Sequence, residues 1–172
     1  QTCALPISRK DVDRIAAVPL VCGASYRVIG TRYDKWSNDA ELATKSLLAA
    51  QELIGQDAFL LLVDLSVEAA DFGQELLFPK YSTAYPNFNN QLINATDEYS
   101  KVKKINPRET KRMKQVIDII KGLSKAKGNE VAILGFIYGP LGVLSQMRGH
   151  KNLFTDLIRH PQEVLRSEER RV

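Results

Sequence analysis

The sequence Ala58-Phe-Leu-Leu-Leu-Val-Asp64 is a short apolar run that ends on a carboxylate. An apolar run of this length without alternation predicts a strand that is buried on both faces, as in a parallel sheet. Asp64 then lies at the C-terminal end of that strand. Because α/β folds carry their chemistry at this end of the strands, Asp64 is the first candidate functional residue.

Predicted helices and strands alternate on both sides of this run. Residues 18–23 are predicted as a first strand, and Asn38 is predicted to open a helix that ends at Gly55. Residues 106–109, Asn-Pro-Arg-Glu, predict the start of a second long helix, and residues 131–137 predict the next buried strand. Two further short helices follow. This order predicts the α/β class, either a barrel or a doubly wound sheet.

The composition predicts an ordinary globular protein. The chain has 172 residues, of which 44% are hydrophobic, and this is enough for one domain with a packed core. Its net charge is +4, and the basic residues are mostly interleaved with acidic ones, as between Glu98 and Arg112. We therefore expect a solvated surface and no nucleic-acid partner. No apolar run is long enough to span a membrane, and the start does not resemble a signal peptide, so we expect a cytoplasmic protein without a membrane partner.

Both ends of the sequence resemble translated sequencing-library adapters. Residues 1–8 and 166–172 are therefore expected to be artefacts, and residues 9–165 are expected to be the natural sequence, the N-terminal half of a longer barrel. On this interpretation the basic pair at residues 170–171 is not a nucleic-acid patch. Cys3 also drops out of the natural sequence, which leaves neither a disulfide framework nor a metal-binding cysteine cluster.

Three features could carry chemistry, and each also has a purely structural interpretation. Asp64 either caps the helix that follows it or directs its carboxylate into a pocket. Gly139-Pro140, at a strand-to-helix corner, either lets a ligand approach the backbone or only forms a tight turn. His150 and His160 have no carboxylate or cysteine at ligand spacing, so no metal site is predicted from this chain alone.

Four stretches in the correct order resemble one protein family. They are residues 13–20 (Asp-Arg-Ile-Ala-Ala-Val-Pro-Leu), 62–69 (Leu-Val-Asp-Leu-Ser-Val-Glu-Ala), 72–73 (Phe-Gly) and 135–141 (Gly-Phe-Ile-Tyr-Gly-Pro-Leu). Together they resemble the uroporphyrinogen decarboxylase superfamily, and within it the cobalamin-dependent coenzyme M methyltransferase branch most closely. The resemblance implies the N-terminal part of a (β/α)8 TIM barrel, with about three of the barrel strands, and an incomplete fold.

The resemblance to the decarboxylases themselves is weaker at their functional positions. In those enzymes the residue matching Asp64 contacts pyrrole N–H groups in the barrel mouth. Their loop after the first strand carries arginines for substrate carboxylates, whereas residues 23–30 of this chain offer only Arg27, with Arg32 just beyond. They also place a tyrosine where this chain has Gln146. These departures argue against decarboxylation, because several carboxylates need several arginines.

The methyltransferase branch implies a different chemistry. There, zinc converts a thiol to a thiolate, which takes a methyl group from a methylated corrinoid protein. The zinc ligands of that branch, a His-x-Cys pair and a later Cys, lie in the C-terminal half of the barrel and are absent from this sequence. Decarboxylation, and a non-catalytic tetrapyrrole- or corrinoid-binding relative, remain the alternatives. The implied site residues are Asp64 as the catalytic carboxylate and Tyr26, Arg27, Gly139, Pro140 and Gln146 as binding residues.

The sequence also predicts how this chain behaves without the rest of a barrel. It is expected to be inactive by itself, because the implied zinc ligands are absent. The strand predicted at residues 131–137 would expose an apolar edge, which predicts aggregation.

Overall fold

Helices and short strands alternate along residues 14–169, the part of the chain that this computed structural model describes. They fall into two compact units, one built from residues 14–64, 79–83 and 115–136 and the other from residues 65–78, 84–114 and 137–169. No helix in the described part is long and apolar enough to cross a membrane. In chain order the elements are a 3-10 helix (Cys22–Arg27), α1 (Tyr33–Trp36), α2 (Ala40–Ile54), β1 (Ala58–Leu61), α3 (Val67–Asp71), β2 (Leu76–Leu77), β3 (Tyr85–Pro86), a second 3-10 helix (Thr96–Lys101), α4 (Arg112–Lys127), β4 (Ala132–Gly135), α5 (Pro140–Arg148), α6 (His150–Arg159) and α7 (Pro161–Glu169).

The first unit contains a parallel pair of strands. β1 pairs with β4 in a register that sets Ala58 opposite Ala132 and Leu61 opposite Gly135. Three of the four β1 residues are buried, as expected for a strand covered on both faces. The prediction of parallel strands at these two places is therefore confirmed, although each strand is shorter than its apolar run. Burial is confirmed for β1 only, because no residue of β4 is fully buried and Leu134 and Gly135 are exposed.

Helix α2 begins one residue later than predicted. Its N-cap is Asp39, whose backbone is extended and whose Oδ1 accepts a hydrogen bond of 3.0 Å from the Leu42 N–H. Asn38 lies outside the helix, and its amide donates to the Asp34 carbonyl. The predicted end is confirmed, because Gly55 has a left-handed backbone with φ of 71°, a conformation that favours glycine.

The strand predicted at residues 18–23 is wrong. Just before the segment, the Asp57 N–H donates to the Ala17 carbonyl beside the start of β1, and within it the Val21 N–H turns back to the Pro19 carbonyl. Pro19 has no N–H to continue such a ladder, and the chain instead turns into the 3-10 helix at Cys22. Cys22 adopts a positive φ of 33° and donates its thiol to the Leu60 carbonyl at 3.1 Å. Of the barrel strands expected from the sequence, the described residues therefore contain β1 and β4.

The start predicted for the second long helix is also wrong. Residues 106–109 form a turn in which the Glu109 N–H donates to the Asn106 carbonyl. Helix α4 begins at Arg112 instead, because the carboxylate of Asp71 accepts hydrogen bonds from the backbone N–H groups of Arg112 and Met113. The cap of α4 therefore comes from the end of α3, about forty residues earlier in the chain.

The second unit has its own apolar core. β2 and β3 pair antiparallel, in a register that sets Leu76 opposite Pro86. Helix α5 begins with Pro140 at its first position, as predicted, and Gly149 follows it with φ of 80°. The core of this unit consists of Ala69, Ile93, Tyr99, Val102, Val143, Leu144, Met147, Leu153 and Val164.

Apolar side chains at and beyond the end of β4 are exposed to solvent. Leu134, Phe136 and Ile137 are 42%, 36% and 79% exposed. Of the apolar stretch expected to be exposed at residues 131–137, residues 134–137 are exposed and Val131 is buried, and the predicted aggregation stays a prediction.

Candidate functional site

Asp64 lies three residues beyond the end of β1 and is only 5% exposed. The residue before it, Val63, is buried, and its carbonyl accepts a hydrogen bond from the Tyr33 hydroxyl. Helix α3 begins at Val67 with Ser66 at the N-cap position, so Asp64 is not the N-cap of that helix. The structure thus fixes the backbone next to Asp64 through a tyrosine from an earlier part of the chain.

An aromatic cluster surrounds that tyrosine in the first unit. The rings of Tyr26 and Tyr33 meet edge to face with centroids 5.9 Å apart, and the rings of Tyr33 and Trp36 lie 5.4 Å apart. A side chain on Gly23 would lie 2.8 Å from the Tyr33 ring, so this close approach requires glycine. The Trp36 indole N–H donates to the Ser46 hydroxyl at 2.6 Å, which anchors the cluster to α2.

The two arginines near this cluster have different surroundings. Arg27 is exposed, its Nε donates to the Tyr26 hydroxyl at 3.1 Å, and its guanidinium lies 5.6 Å from the centre of the Tyr26 ring. Arg32 instead forms a bidentate ion pair with Asp34, which raises the pKa of the arginine and lowers the pKa of the aspartate. Of these two guanidinium groups, only that of Arg27 lies beside the cluster without a carboxylate partner.

The Gly139-Pro140 corner belongs to the second unit. Just before it, the backbone N–H of Tyr138 donates to Oε1 of Glu68 at 3.0 Å, so a carboxylate from α3 fixes the corner. The Tyr138 ring lies over Gly142, where a side chain would come within 2.5 Å of it. Gly139 has φ of −63° and nothing within 4 Å of an added side-chain carbon. Because neither backbone strain nor crowding requires glycine there, the open approach to the backbone is the property that distinguishes this position.

Gln146 lies on the same helix as this corner and is 7% exposed. Its Nε2 donates to the Leu65 carbonyl at 2.8 Å, which fixes the orientation of the amide. Its Oε1 is buried and has no hydrogen-bond partner among residues 14–169. A buried acceptor of this kind costs stability unless water or another group pairs with it.

The structure thus brings the predicted site residues together in two sets, each within one unit. Tyr26 and Arg27 are in direct contact in the first unit, which also contains Asp64. Gly139, Pro140 and Gln146 lie on or next to α5 in the second. Sequence reasoning missed Tyr33 and Glu68, which bind the backbone beside Asp64 and beside Gly139. The small residue at Gly23 ahead of three aromatic residues was the available signal for Tyr33, whereas nothing in the sequence pointed to Glu68.

Comparisons with known proteins show a family and a solved structure to which this chain is similar. The model of the family described as uroporphyrinogen decarboxylase (URO-D) matches residues 5–167. The solved structure of a methyltransferase from Methanosarcina mazei is similar, with a TM-score of 0.81 and 20% sequence identity over 96% of this chain and 50% of that chain. No curated protein sequence matches. The chain therefore spans half the length of that methyltransferase, and the predicted fold class, α/β with an incomplete (β/α)8 barrel, is confirmed.

Proposed function

The chain belongs to the uroporphyrinogen decarboxylase family, and from this premise we propose that its parent protein transfers a methyl group from a methylated corrinoid protein to a small thiol. In this reaction the cobalt–carbon bond of the donor breaks with its electron pair left on cobalt. A sulfur–carbon bond forms, and the thiol proton is released. The corrinoid is thus a substrate that a partner protein delivers.

The observation that carries the proposal is how the arginines near the aromatic cluster are used. A substrate with several carboxylates needs several arginines that are free of acidic partners. Arg32 is bound to Asp34, and Arg27 lies against Tyr26. One exposed guanidinium favours a ligand with few negative charges over a polycarboxylate.

The similarity to the methyltransferase from Methanosarcina mazei supports the same branch. Because the two sequences are only 20% identical, this similarity shows a shared fold and does not show a shared activity. It does establish that a methyltransferase uses this arrangement of helices and strands over 96% of the present chain.

A zinc site does not fit the described residues. Within residues 14–169 no group of three His, Cys, Asp or Glu side chains is placed to bind a metal ion. Any zinc in the parent would take its ligands from elsewhere, and we assign no step of the reaction to it in this chain.

The roles that we propose for this chain are binding and orientation. The Asp64 carboxylate, buried at the end of β1, accepts hydrogen bonds from N–H groups of the ligand. In the same unit, Tyr26 and Arg27 are the proposed binding residues. In the second unit, Gly139-Pro140 offers backbone that a ligand can approach, and the buried Gln146 amide is a neutral binding group.

The test uses the full-length parent protein with methylcobalamin as methyl donor and 2-mercaptoethanesulfonate as thiol. We expect methylation of the thiol, which is monitored as the loss of the methylcobalamin absorption. We expect no conversion of uroporphyrinogen to coproporphyrinogen. Asp64→Asn should lower kcat/KM for methyl transfer by about tenfold or more, because it removes the charge that strengthens these hydrogen bonds. Asp97→Asn, at an exposed position, is the matched control and should leave kcat/KM unchanged.

Three results would contradict the proposal in different ways. Uroporphyrinogen decarboxylation without methyl transfer would establish the decarboxylase alternative. Tight corrinoid or porphyrin binding with neither activity would establish the non-catalytic alternative. Equal activity of Asp64→Asn and Asp97→Asn would remove Asp64 from the site.

A further inference from the structure

A strongly basic segment lies between the second 3-10 helix and the first turn of α4. Residues 101–114 contain seven Lys and Arg against one Glu, a net charge of +6, whereas the whole chain carries +4. The rest of the chain therefore has a net charge of −2. We call residues 102–111 the basic loop.

The basic loop is anchored at both ends. At its start Val102 is completely buried in the core of the second unit. After its end, the N–H groups of Arg112 and Met113 are bound by Asp71. In the middle, residues 106–109 form a hydrogen-bonded turn, with the Asn106 side chain accepting from the Arg108 N–H at 3.1 Å. The charges therefore lie on an ordered backbone.

The acidic residues in and next to the loop already accept hydrogen bonds from neighbouring side chains. Glu98 accepts a hydrogen bond of 2.7 Å from Lys101, and Glu109 accepts one of 2.8 Å from the Asn106 amide. Arg112 is buried, with its guanidinium 5.2 Å from the centre of the Phe78 ring. The interleaving of charges seen in the sequence therefore does not neutralise this loop.

Four basic side chains remain on the surface of the loop. Each is exposed, and none takes part in an ion pair or side-chain hydrogen bond with the described residues. All four lie within nine consecutive positions, on both sides of the turn. They are Lys103, Lys104, Arg108 and Lys111.

The position of the loop in the chain links these charges to the proposed site. The basic loop is part of the connection from the end of β1 to α4. In (β/α)8 barrels the connections that follow the strands form the face on which substrates bind. The four exposed basic side chains, against the one exposed carboxylate of Glu109, leave this connection with a net positive charge that acts on a partner approaching the C-terminal ends of the strands.

We propose that the basic loop docks an acidic surface of the protein that delivers the methyl group. The proposal rests on the proposed function, because it takes that protein to be the corrinoid carrier. Complementary charge raises the rate at which two proteins meet and fixes their orientation. The loop is thus a docking element, and its residues do not touch the reacting atoms.

The chemistry of the loop favours a protein over a nucleic acid or a membrane. Residues 103–111 contain no aromatic side chain on which a base could stack. They also form no amphipathic helix that could lie in a lipid interface. A compact set of charges without stacking or insertion groups matches a rim of acidic side chains on a partner.

The test compares two methyl donors with the full-length parent, its methylated corrinoid carrier protein and free methylcobalamin. The variants are Lys103→Glu with Lys104→Glu, and Arg108→Glu with Lys111→Glu. The matched control is Lys45→Glu with Lys125→Glu, which reverses two exposed lysines on α2 and α4. We expect each loop variant to lower kcat/KM for the carrier about tenfold at low salt, with a smaller effect as salt rises. The value for free methylcobalamin and the control variant should stay within about twofold of the wild type.

A binding measurement makes the result independent of catalysis. Wild-type protein should bind fluorescent poly-L-glutamate more tightly than a DNA duplex, and the loop variants should lose this binding. No methyl transfer from free methylcobalamin would refute the proposed function, whereas absent poly-L-glutamate binding would refute the docking loop. Equal carrier kinetics for loop and control variants, or tighter binding to DNA, would also overturn it.

Discussion

The buried ion pair between Arg148 and Asp156 gives the sharpest stability prediction. The two side chains lie at the ends of α5 and α6 and are only 8% and 4% exposed. Arg148 Nε donates to Asp156 Oδ2 at 2.7 Å, and the hydroxyl of Tyr99 donates to the same oxygen at 3.1 Å. A second guanidinium nitrogen donates to the Asn94 carbonyl at 2.6 Å. The network therefore ties together three segments of the second unit.

Asp156→Asn keeps the shape of the side chain and removes its charge. Arg148 is then a buried cation that has lost the charge of this carboxylate, and breaking one side of such a pair costs about 3–5 kcal/mol. This is a large part of the ordinary 5–15 kcal/mol of a folded protein. Arg148→Met should cost a similar amount, because it leaves the Asp156 carboxylate buried without its cation.

Replacing both partners should cost less than replacing either one. With Arg148→Met and Asp156→Leu together no buried charge remains, and the expected loss is below about 2 kcal/mol, most of it from the Tyr99 and Asn94 hydrogen bonds. The free energy of unfolding of the full-length parent is measured by urea titration, with circular dichroism as the signal. Asp118→Asn, which breaks an exposed pair with Lys121, is the control and should cost under about 1 kcal/mol. Additive losses in the double variant, or a loss below about 1 kcal/mol for Asp156→Asn, would refute this reasoning.

Three further predictions concern single groups. Asp71→Ala should destabilise the parent by about 1–2 kcal/mol and speed hydrogen exchange of the first two amides of α4, because it removes their acceptor. The hydrogen bond from Lys101 lowers the pKa of Glu98 from 4.5 to about 2. The stabilisation from this carboxylate is therefore complete above pH 4.5 and is lost as the pH falls towards 2, which carbon-13 titration of the carboxyl group can follow. Burial raises the pKa of the Cys22 thiol, so iodoacetamide at pH 8 should modify it at least about tenfold more slowly in folded than in urea-unfolded protein.

Each of these has a matched control. Asp71→Asn keeps an acceptor oxygen and should lose less stability than the alanine variant. Equal losses would contradict the role of Asp71 as the N-terminal cap of α4. Lys101→Met should return the Glu98 pKa towards 4.5, and an unchanged pKa would assign the shift to another group. For Cys22 the comparison uses a Cys3→Ser background, and equal rates in folded and unfolded protein would contradict its burial.

The two strands that define the fold could be predicted because their information is local. The apolar runs around β1 and β4 are too short for a helix and have no polar face, which predicts a strand at each place. The structure covers β1 on both sides but leaves the end of β4 exposed. The C-terminal end of α2 and the start of α5 could also be predicted from the sequence, because Gly55 and Pro140 act through the conformation of their own backbones. The position of Asp64 just beyond a strand could be predicted for the same reason, since it follows from the apolar run before it.

The errors occurred where distant residues compete with a local signal. The turn at residues 106–109 has a good helix-start sequence, yet α4 begins where Asp71 supplies a better acceptor. The charges between Glu98 and Arg112 are expected to be interleaved, although residues 101–114 contain seven Lys and Arg against one Glu. Only the structure shows that Glu98 and Glu109 bind Lys101 and Asn106 and leave the basic side chains of the basic loop exposed. Residues 18–23 had the composition of a strand, but a strand also needs a partner that its backbone can pair with.

The sequence by itself determined the fold class, the two parallel strands and the position of Asp64 just beyond the first. Each of these depends on the apolar or polar character of neighbouring residues, which the sequence states directly. Only the tertiary structure decided that Tyr33 binds the backbone beside Asp64, that Arg32 is engaged by Asp34 while Arg27 is not, and that four charges of the basic loop stay exposed. These depend on which side chains the folded backbone brings within hydrogen-bonding distance, and that distance is a property of packing.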